Sequence, residues 1–337
     1  MTDSYNQNSI NLAESSLGNT PFQFLVGPPS SGAPFNSIQD AIDAAGDRTL
    51  QTIANVIVLG GQYVEDVSMR RGVTVFGIGG AQVVGTVTFN LSGGAPLPED
   101  NSTVLQNMII QPSAGRGVVV TGPNFQNVVL SNVIINSVGG AGLEMSNAGI
   151  DGGNSSTVLC NGAQINANGA FALDQSSGFV FVSDTSFGRE SNTLTSVSIT
   201  GGAHILIQSR VDGDVLIGPG VGFAGYSYTA FGSDAQPAII VNAFASIEQC
   251  SIQTNASPAI SGTGAVVYTD LAYLGGGRGL DPTLAFSFDT GQAYQPFLPG
   301  AAAAWGPPAP NTIGDAIDRI VIAMSTMVAP GGGIGPF

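Results

Sequence analysis

One stretch of the chain repeats itself. Val104-Leu105-Gln106-Asn107-Met108-Ile109-Ile110 aligns with Val129-Leu130-Ser131-Asn132-Val133-Ile134-Ile135 at an offset of 25. Val158-Leu159-Cys160-Asn161, Phe181-Val182-Ser183-Asp184, Leu206-Ile207-Gln208-Ser209 and Ser246-Ile247-Glu248-Gln249-Cys250 carry the shape onward. Each unit holds a second short apolar run, such as Gly117-Val118-Val119-Val120 or Gly142-Leu143-Glu144-Met145. Short strands with Gly and Asn turns, repeating every 20 to 30 residues without helices, define a β-solenoid. One coil cannot bury its own apolar face, so coils must stack. The expected fold is all-β: a single-stranded right-handed parallel β-helix, with Gly and Asn supplying the corners that need φ > 0.

The ends depart from the repeat. Residues 1–36 are polar, then Pro/Gly-rich, and read as an arm for attachment. In Asn36-Ser37-Ile38-Gln39-Asp40-Ala41-Ile42-Asp43-Ala44-Ala45-Gly46, Asn36 or Ser37 can cap a helix that Gly46 ends. Ile38, Ala41, Ile42 and Ala45 share one face, which suits a lid on the first coil. The solenoid is expected over 37–274, with residues 221–236 as a loop thrown off it. A Gly/Pro-rich linker follows at 275–310, and a C-terminal helix and tail at 311–337. Ile313, Ile317, Ile320, Met324 and Met327 are spaced as a heptad seam. That seam fits contact between three chains, or a fold-back onto the last coil.

Composition removes several functions. Charged residues make up 9%, and all 8 basic residues are Arg against 23 Asp+Glu, for a net charge of −15. Such a chain cannot build the basic face that nucleic acid or an anionic membrane surface requires. No apolar run reaches the length of a membrane span, and Met1 to Ser16 lacks the pattern of a secretory signal. The expected location is therefore a cytoplasm, where the protein stays or from which it leaves inside a particle or by lysis. Cys160 and Cys250 fall several coils apart, too far for a disulfide.

The inventory for catalysis is thin. Asp212 and Asp214, spaced i, i+2, would share a strand face with Arg210, and Asp174 or Asp184 could lie on neighbouring coils. Glycoside hydrolysis uses such carboxylate pairs. The same residues also read as a turn with solvated acids and a surface ion pair. His204 is the only histidine, which leaves no Ser/His/Asp arrangement or metal cluster to complete around another, and it reads as a strand-edge residue. Gly275-Gly276-Gly277-Arg278-Gly279 lacks the Lys and the helix of a phosphate loop. No cofactor or metal is expected. Phe223, Tyr226, Tyr228 and Phe231 form the one dense aromatic patch, a candidate ligand or partner contact or the packing of a loop.

Phe35-Asn36-Ser37-Ile38-Gln39-Asp40-Ala41-Ile42, then Val56-Ile57-Val58-Leu59-Gly60-Gly61-Gln62-Tyr63-Val64-Glu65, then Val73-Thr74-Val75-Phe76-Gly77, resembles the opening of pectate-lyase-like β-helices, an opening shared by bacteriophage tailspikes and other virion β-helix proteins. Pro310-Asn311-Thr312-Ile313-Gly314-Asp315-Ala316-Ile317-Asp318-Arg319-Ile320 looks like the C-terminal helix of phage structural proteins. The resemblance implies a structural virion protein (tailspike-like, fibre or capsid-surface decoration), homotrimeric and held to another virion protein through residues 1–36. A host surface glycan is a further partner it allows. A polysaccharide-degrading hydrolase or lyase on the same fold is the alternative. A secreted adhesin or ice-binding solenoid fits less well, because no regular Thr-x-Thr ladder is present.

Overall fold

A computed structural model describes residues 22–46, 54–90, 102–122, 127–146, 150–151, 154–189, 195–234, 236–269, 271–273, 280–281 and 283–288. Within them the chain winds as a parallel β-helix with three faces. Face A begins at Gln23–Val26 and Ala54–Val58 and climbs, strand on parallel strand, through Ser102–Gln106, Asn127–Ser131, Thr157–Asn161 and Phe179–Ser183 to Ala285–Phe288. Face B is a 10-stranded parallel sheet from Gly61–Tyr63 to Ala272–Tyr273. Face C holds shorter strands such as Val87–Asn90, Val118–Thr121, Leu143–Met145 and Leu173–Gln175. Parallel crossovers of this kind wind right-handed.

The corner between faces A and B is the most regular feature. Two residues make it in each coil from Asn107 to Cys250. The first adopts a left-handed conformation: Asn107 (φ 54°), Asn132 (50°), Gly162 (64°), Asp184 (48°), Gln208 (50°), Tyr228 (51°) and Gln249 (49°). Its N–H donates to the last carbonyl of face A one coil up, as from Asn107 to Ser131 (3.0 Å), Gln208 to Ser227 (3.0 Å) and Tyr228 to Glu248 (3.1 Å). The second corner residue points inward. Met108, Val133 and Ala163 fill this column low in the stack, and Thr185, Ser209, Thr229 and Cys250 fill it above. The polar members are satisfied locally. Thr185 and Ser209 donate to the carbonyls of Ser183 and Ile207, two residues back (both 2.8 Å), and Thr229 and Cys250 do the same to Ser227 (3.0 Å) and Glu248 (3.2 Å). The hydroxyls of this column therefore sit in the core without orphaned donors.

Inward side chains stack in columns along the axis. In one face A column Leu105, Leu130, Cys160, Val182, Leu206, Tyr226 and Ile247 succeed one another in register. All are essentially sealed from solvent. Burial pushes the Cys160 thiol up to about 12 and, as the larger of several influences, Cys250 up to about 11. Both are free, buried thiols, as their spacing implied.

The lower end is closed by helix Ile38–Ala45, which buries Ile38, Ala41, Ile42 and Ala45 as the sequence predicts. Ser37 is the N-cap, its Oγ accepting from Asp40 N (3.1 Å). The sequence did not expose the role of Glu65. Its carboxylate, on the turn leading to face C, accepts from Ile38 N (2.8 Å), Gln39 N (3.1 Å) and Ser37 Oγ (2.7 Å). It thus satisfies the orphan donors of the helix and sets a negative charge at the positive end of its dipole. The Gln39 amide pairs with Ser68 N (2.6 Å) and Ser68 O (3.4 Å), covering a sheet edge as a strand would.

Three expectations need correction. Residues 22–36 are not an arm. Gln23–Val26 pairs in parallel with Asn55–Val58, and Phe24 packs on Phe35 (centroids 6.0 Å), because the apolar Phe22-Gln23-Phe24-Leu25-Val26 run needs a sheet to join. Residues 221–236 are not a thrown-off loop. Asp214–Ser227 is one long strand in which faces C and A run together, and Ala230–Ser233 continues on face B. The linker assigned to 275–310 holds Ala285–Phe288, a further strand of face A. The helix at 311–337, with its seam at Ile313, Ile317, Ile320, Met324 and Met327, lies outside the described residues.

Two outcomes follow. Glu65→Ala should destabilise the chain by about 1–3 kcal/mol, since several helix donors lose a charged acceptor. Urea unfolding measures this, and no loss would show that Ser37 alone caps the helix. Tyr228→Asn should stabilise by about 0.5–1 kcal/mol, because Asn tolerates the left-handed corner that a bulky side chain strains. A shift in thermal midpoint measures that.

Candidate functional site

The carboxylate pair singled out in the sequence is divided by a corner. Asp212 ends the face B strand Arg210–Asp212, while Asp214 opens the next strand on the face C side. Gly213, at φ 109°, turns the chain between them, so the two side chains do not share a face. Arg210 Nε reaches Asp212 at 2.9 and 3.1 Å, an exposed ion pair of small energetic value. Asp214 is buried and accepts from Thr195 Oγ1 (2.7 Å). Asp184 occupies a left-handed corner and points to solvent.

His204 is not a strand-edge residue. It lies in the interior of face A, fully buried, between Val180 below and Ala224 above. The Gln175 amide donates to the carbonyls of Ala203 (2.8 Å) and Gly178 (3.2 Å), which leaves its oxygen to accept from His204 Nδ1 (3.2 Å). This assigns the proton to Nδ1. Burial lowers the imidazole from its ordinary 6.5 to about 3, so it is neutral at pH 7. Neither His204 Nε2 nor Tyr226 Oη has a hydrogen-bond partner among the described residues, and their rings lie 5.9 Å apart.

The aromatic patch splits likewise. Tyr226 and Phe231 are core residues in edge-to-face contact (5.3 Å, 88°). Phe223 and Tyr228 face outward, 36% and 58% exposed. The sequence grouped all four because strand alternation is invisible once two faces run together in one strand.

Two outward arrangements remain. On face C, Glu144 and Asp174 are register partners on adjacent coils. Arg116 pairs with Glu144 (2.9 Å), and Ser146 donates to the same oxygen (3.0 Å). Partial burial, and then the Glu144 charge, push Asp174 above the ordinary carboxylate range. Two carboxylates, one ion-paired and one inclined to hold its proton, are a minimal acid–base arrangement. Their sequence separation hid them.

Face A carries the second. Its central outward column reads Val104, Val129, Leu159, Phe181 and Ile205 in exact succession by register. The next position is Gly225, and there the ring of Phe223 takes over: a Cβ on Gly225 would lie 2.9 Å from it. The column itself passes on to Ser246, and Phe244, two residues before it, brings its ring to 6.0 Å from that of Phe223 and extends the apolar surface beside it. Flanking outward positions are mostly Ser, Thr, Asn and Gln. From Ser102 to Glu248 the one charged outward side chain among the described residues of face A is Glu248 itself.

No family model matches the sequence, and no curated protein matches it. Among solved structures, a pectin methylesterase from Aspergillus niger aligns at 12% identity over 80% of this chain and 90% of that chain, with a TM-score of 0.42. Escherichia coli YbhC aligns at 12% identity over 74% and 71%, with a TM-score of 0.34. Similarity this low assigns the chain no activity.

His204 gives this site a pH signature. An imidazole held neutral in the fold but free to protonate in the unfolded chain leaves stability intact above pH 6.5. Stability is then lost as pH falls from about 6.5 toward about 3. His204→Phe should flatten that part of the pH–stability curve, by on the order of a few kcal/mol at its lower end. Parallel curves for both proteins would contradict the assignment.

Proposed function

We propose that this chain is a structural component of a bacteriophage virion, tailspike-like, fibre or capsid-surface decoration, displayed as a homotrimer. The observation that carries the reading is the uncharged apolar line on the outside of face A, from Val104 to Ile205 and on through the rings of Phe223 and Phe244. Monomeric proteins seldom leave such a line bare. The opening motifs and the heptad pattern at Ile313, Ile317, Ile320, Met324 and Met327 support the same reading. Attachment to another virion protein falls to the part of 1–36 that precedes Phe22, and contact with a host glycan falls to the outward faces. In light scattering the full chain should show three times its 34.0 kDa mass, and a monomer overturns the reading.

A second reading has one specific observation in its favour. The Arg116, Glu144 and Asp174 arrangement supports a polysaccharide-acting enzyme, with Asp174 as proton donor and Glu144 as base or nucleophile. A panel of polysaccharides, pectin among them, should yield no products. Turnover that Asp174→Asn abolishes would move the assignment to the enzyme.

A further inference from the structure

We infer that the outward side of face A is the surface through which copies of this chain meet, and that the apolar line from Val104 to Phe244 forms the buried centre of that contact. The inference rests on the oligomeric reading above and adds the surface and its occupant.

Three features identify the occupant as a further copy. The first is charge. Each chain carries −15, and like-charged copies repel wherever their acidic faces meet. Face B presents Asp212 and face C presents Glu144 and Asp174, whereas face A is free of charge from Ser102 until Glu248 at its margin. The second is size. At about 4.8 Å per coil the apolar line runs ~29 Å, and the seven strands from Ser102–Gln106 to Phe244–Glu248 cover ~34 Å by ~16 Å, about 500 Å² on each partner. Two copies would bury about 1,000 Å² in all, the size at which a specific contact begins. The third is anatomy. Leu159 (37% exposed) lies in the central column, Phe223 (36%) leans over Gly225 from the flanking column that Phe244 (40%) extends, and Asn127, Thr157, Ser131, Asn161 and Ser183 hold flanking positions lower in the stack. An apolar centre inside a polar rim is how protein contacts are built. Gly225 belongs to the same device, because a side chain there would displace the Phe223 ring that keeps the line continuous.

The test uses the full chain in sedimentation velocity over a dilution series. Leu159→Glu and Phe244→Glu should each weaken assembly at least tenfold. Gln164→Glu, exposed on face B, should assemble as the wild type does. Circular dichroism checks folding, and the milder Phe244→Ser, expected to weaken assembly in the same direction, stands in should a charged variant fail to fold. Face A variants that assemble as well as the wild type overturn this inference, and the oligomeric reading then rests on the heptad pattern at Ile313, Ile317, Ile320, Met324 and Met327. A wild type that is monomeric at every concentration overturns both, and assigns the line to another part of the chain or to a different protein.

Discussion

From Asn107 to Tyr228 the structure depends on one hydrogen bond made once per coil: the N–H of a left-handed corner residue donating to the last face A carbonyl of the coil above. The bond fixes where each coil turns and its height relative to its neighbour. With the corner fixed, the second corner residue must point inward and the face B strand must start in register. The same constraint tolerates Asn, Gly, Asp, Gln and even Tyr228 at one position, because the ladder determines the backbone and each side chain accommodates it. Strand length varies around the corner without disturbing it, so faces C and A can join into the single strand Asp214–Ser227 while the corner at Tyr228 keeps its place.

Consistent registration has chemical consequences. An inward column accepts whatever fits the layer above and below. His204, Cys160, Cys250 and Tyr226 thereby become core residues, and burial pushes their titrations away from neutral pH. An outward column is equally continuous, so five apolar residues at one position in successive coils make a line on the surface and not scattered points. The solenoid converts a repeated position in sequence into an extended stripe in space, and face A is where that stripe is apolar.

The fold was legible because its determinants are local. Asn107 and Asn132 at equivalent places in two aligned units already imply the corner, and Ser37, Ile38, Ala41, Ile42, Ala45 and Gly46 spell out a capped amphipathic helix. The site was less legible because its determinants are registers between coils. Glu144 and Asp174 meet through coils of unequal length, and nothing in the sequence pairs them. Asp212 and Asp214 look paired under strict alternation, but Gly213 breaks it. The helix-capping carboxylate of Glu65 is invisible for the same reason, since it acts across 26 to 28 residues. The face A line could have been found by aligning the repeats and reading down the position of Val104 and Val129, which alternation marks as outward.

The central claim is that the outside of face A is covered when the protein is assembled, and the most direct measurement is thiol accessibility along that line. Cys160 and Cys250 are buried, so a thiol introduced at the surface reports alone. Leu159→Cys on face A and Gln164→Cys on face B would each be exposed to a bulky maleimide, in the assembled protein and after dilution. The account predicts that Leu159→Cys is protected when assembled and reacts on dilution, while Gln164→Cys reacts quickly in both. Equal, rapid labelling of both positions in the assembled protein would contradict it.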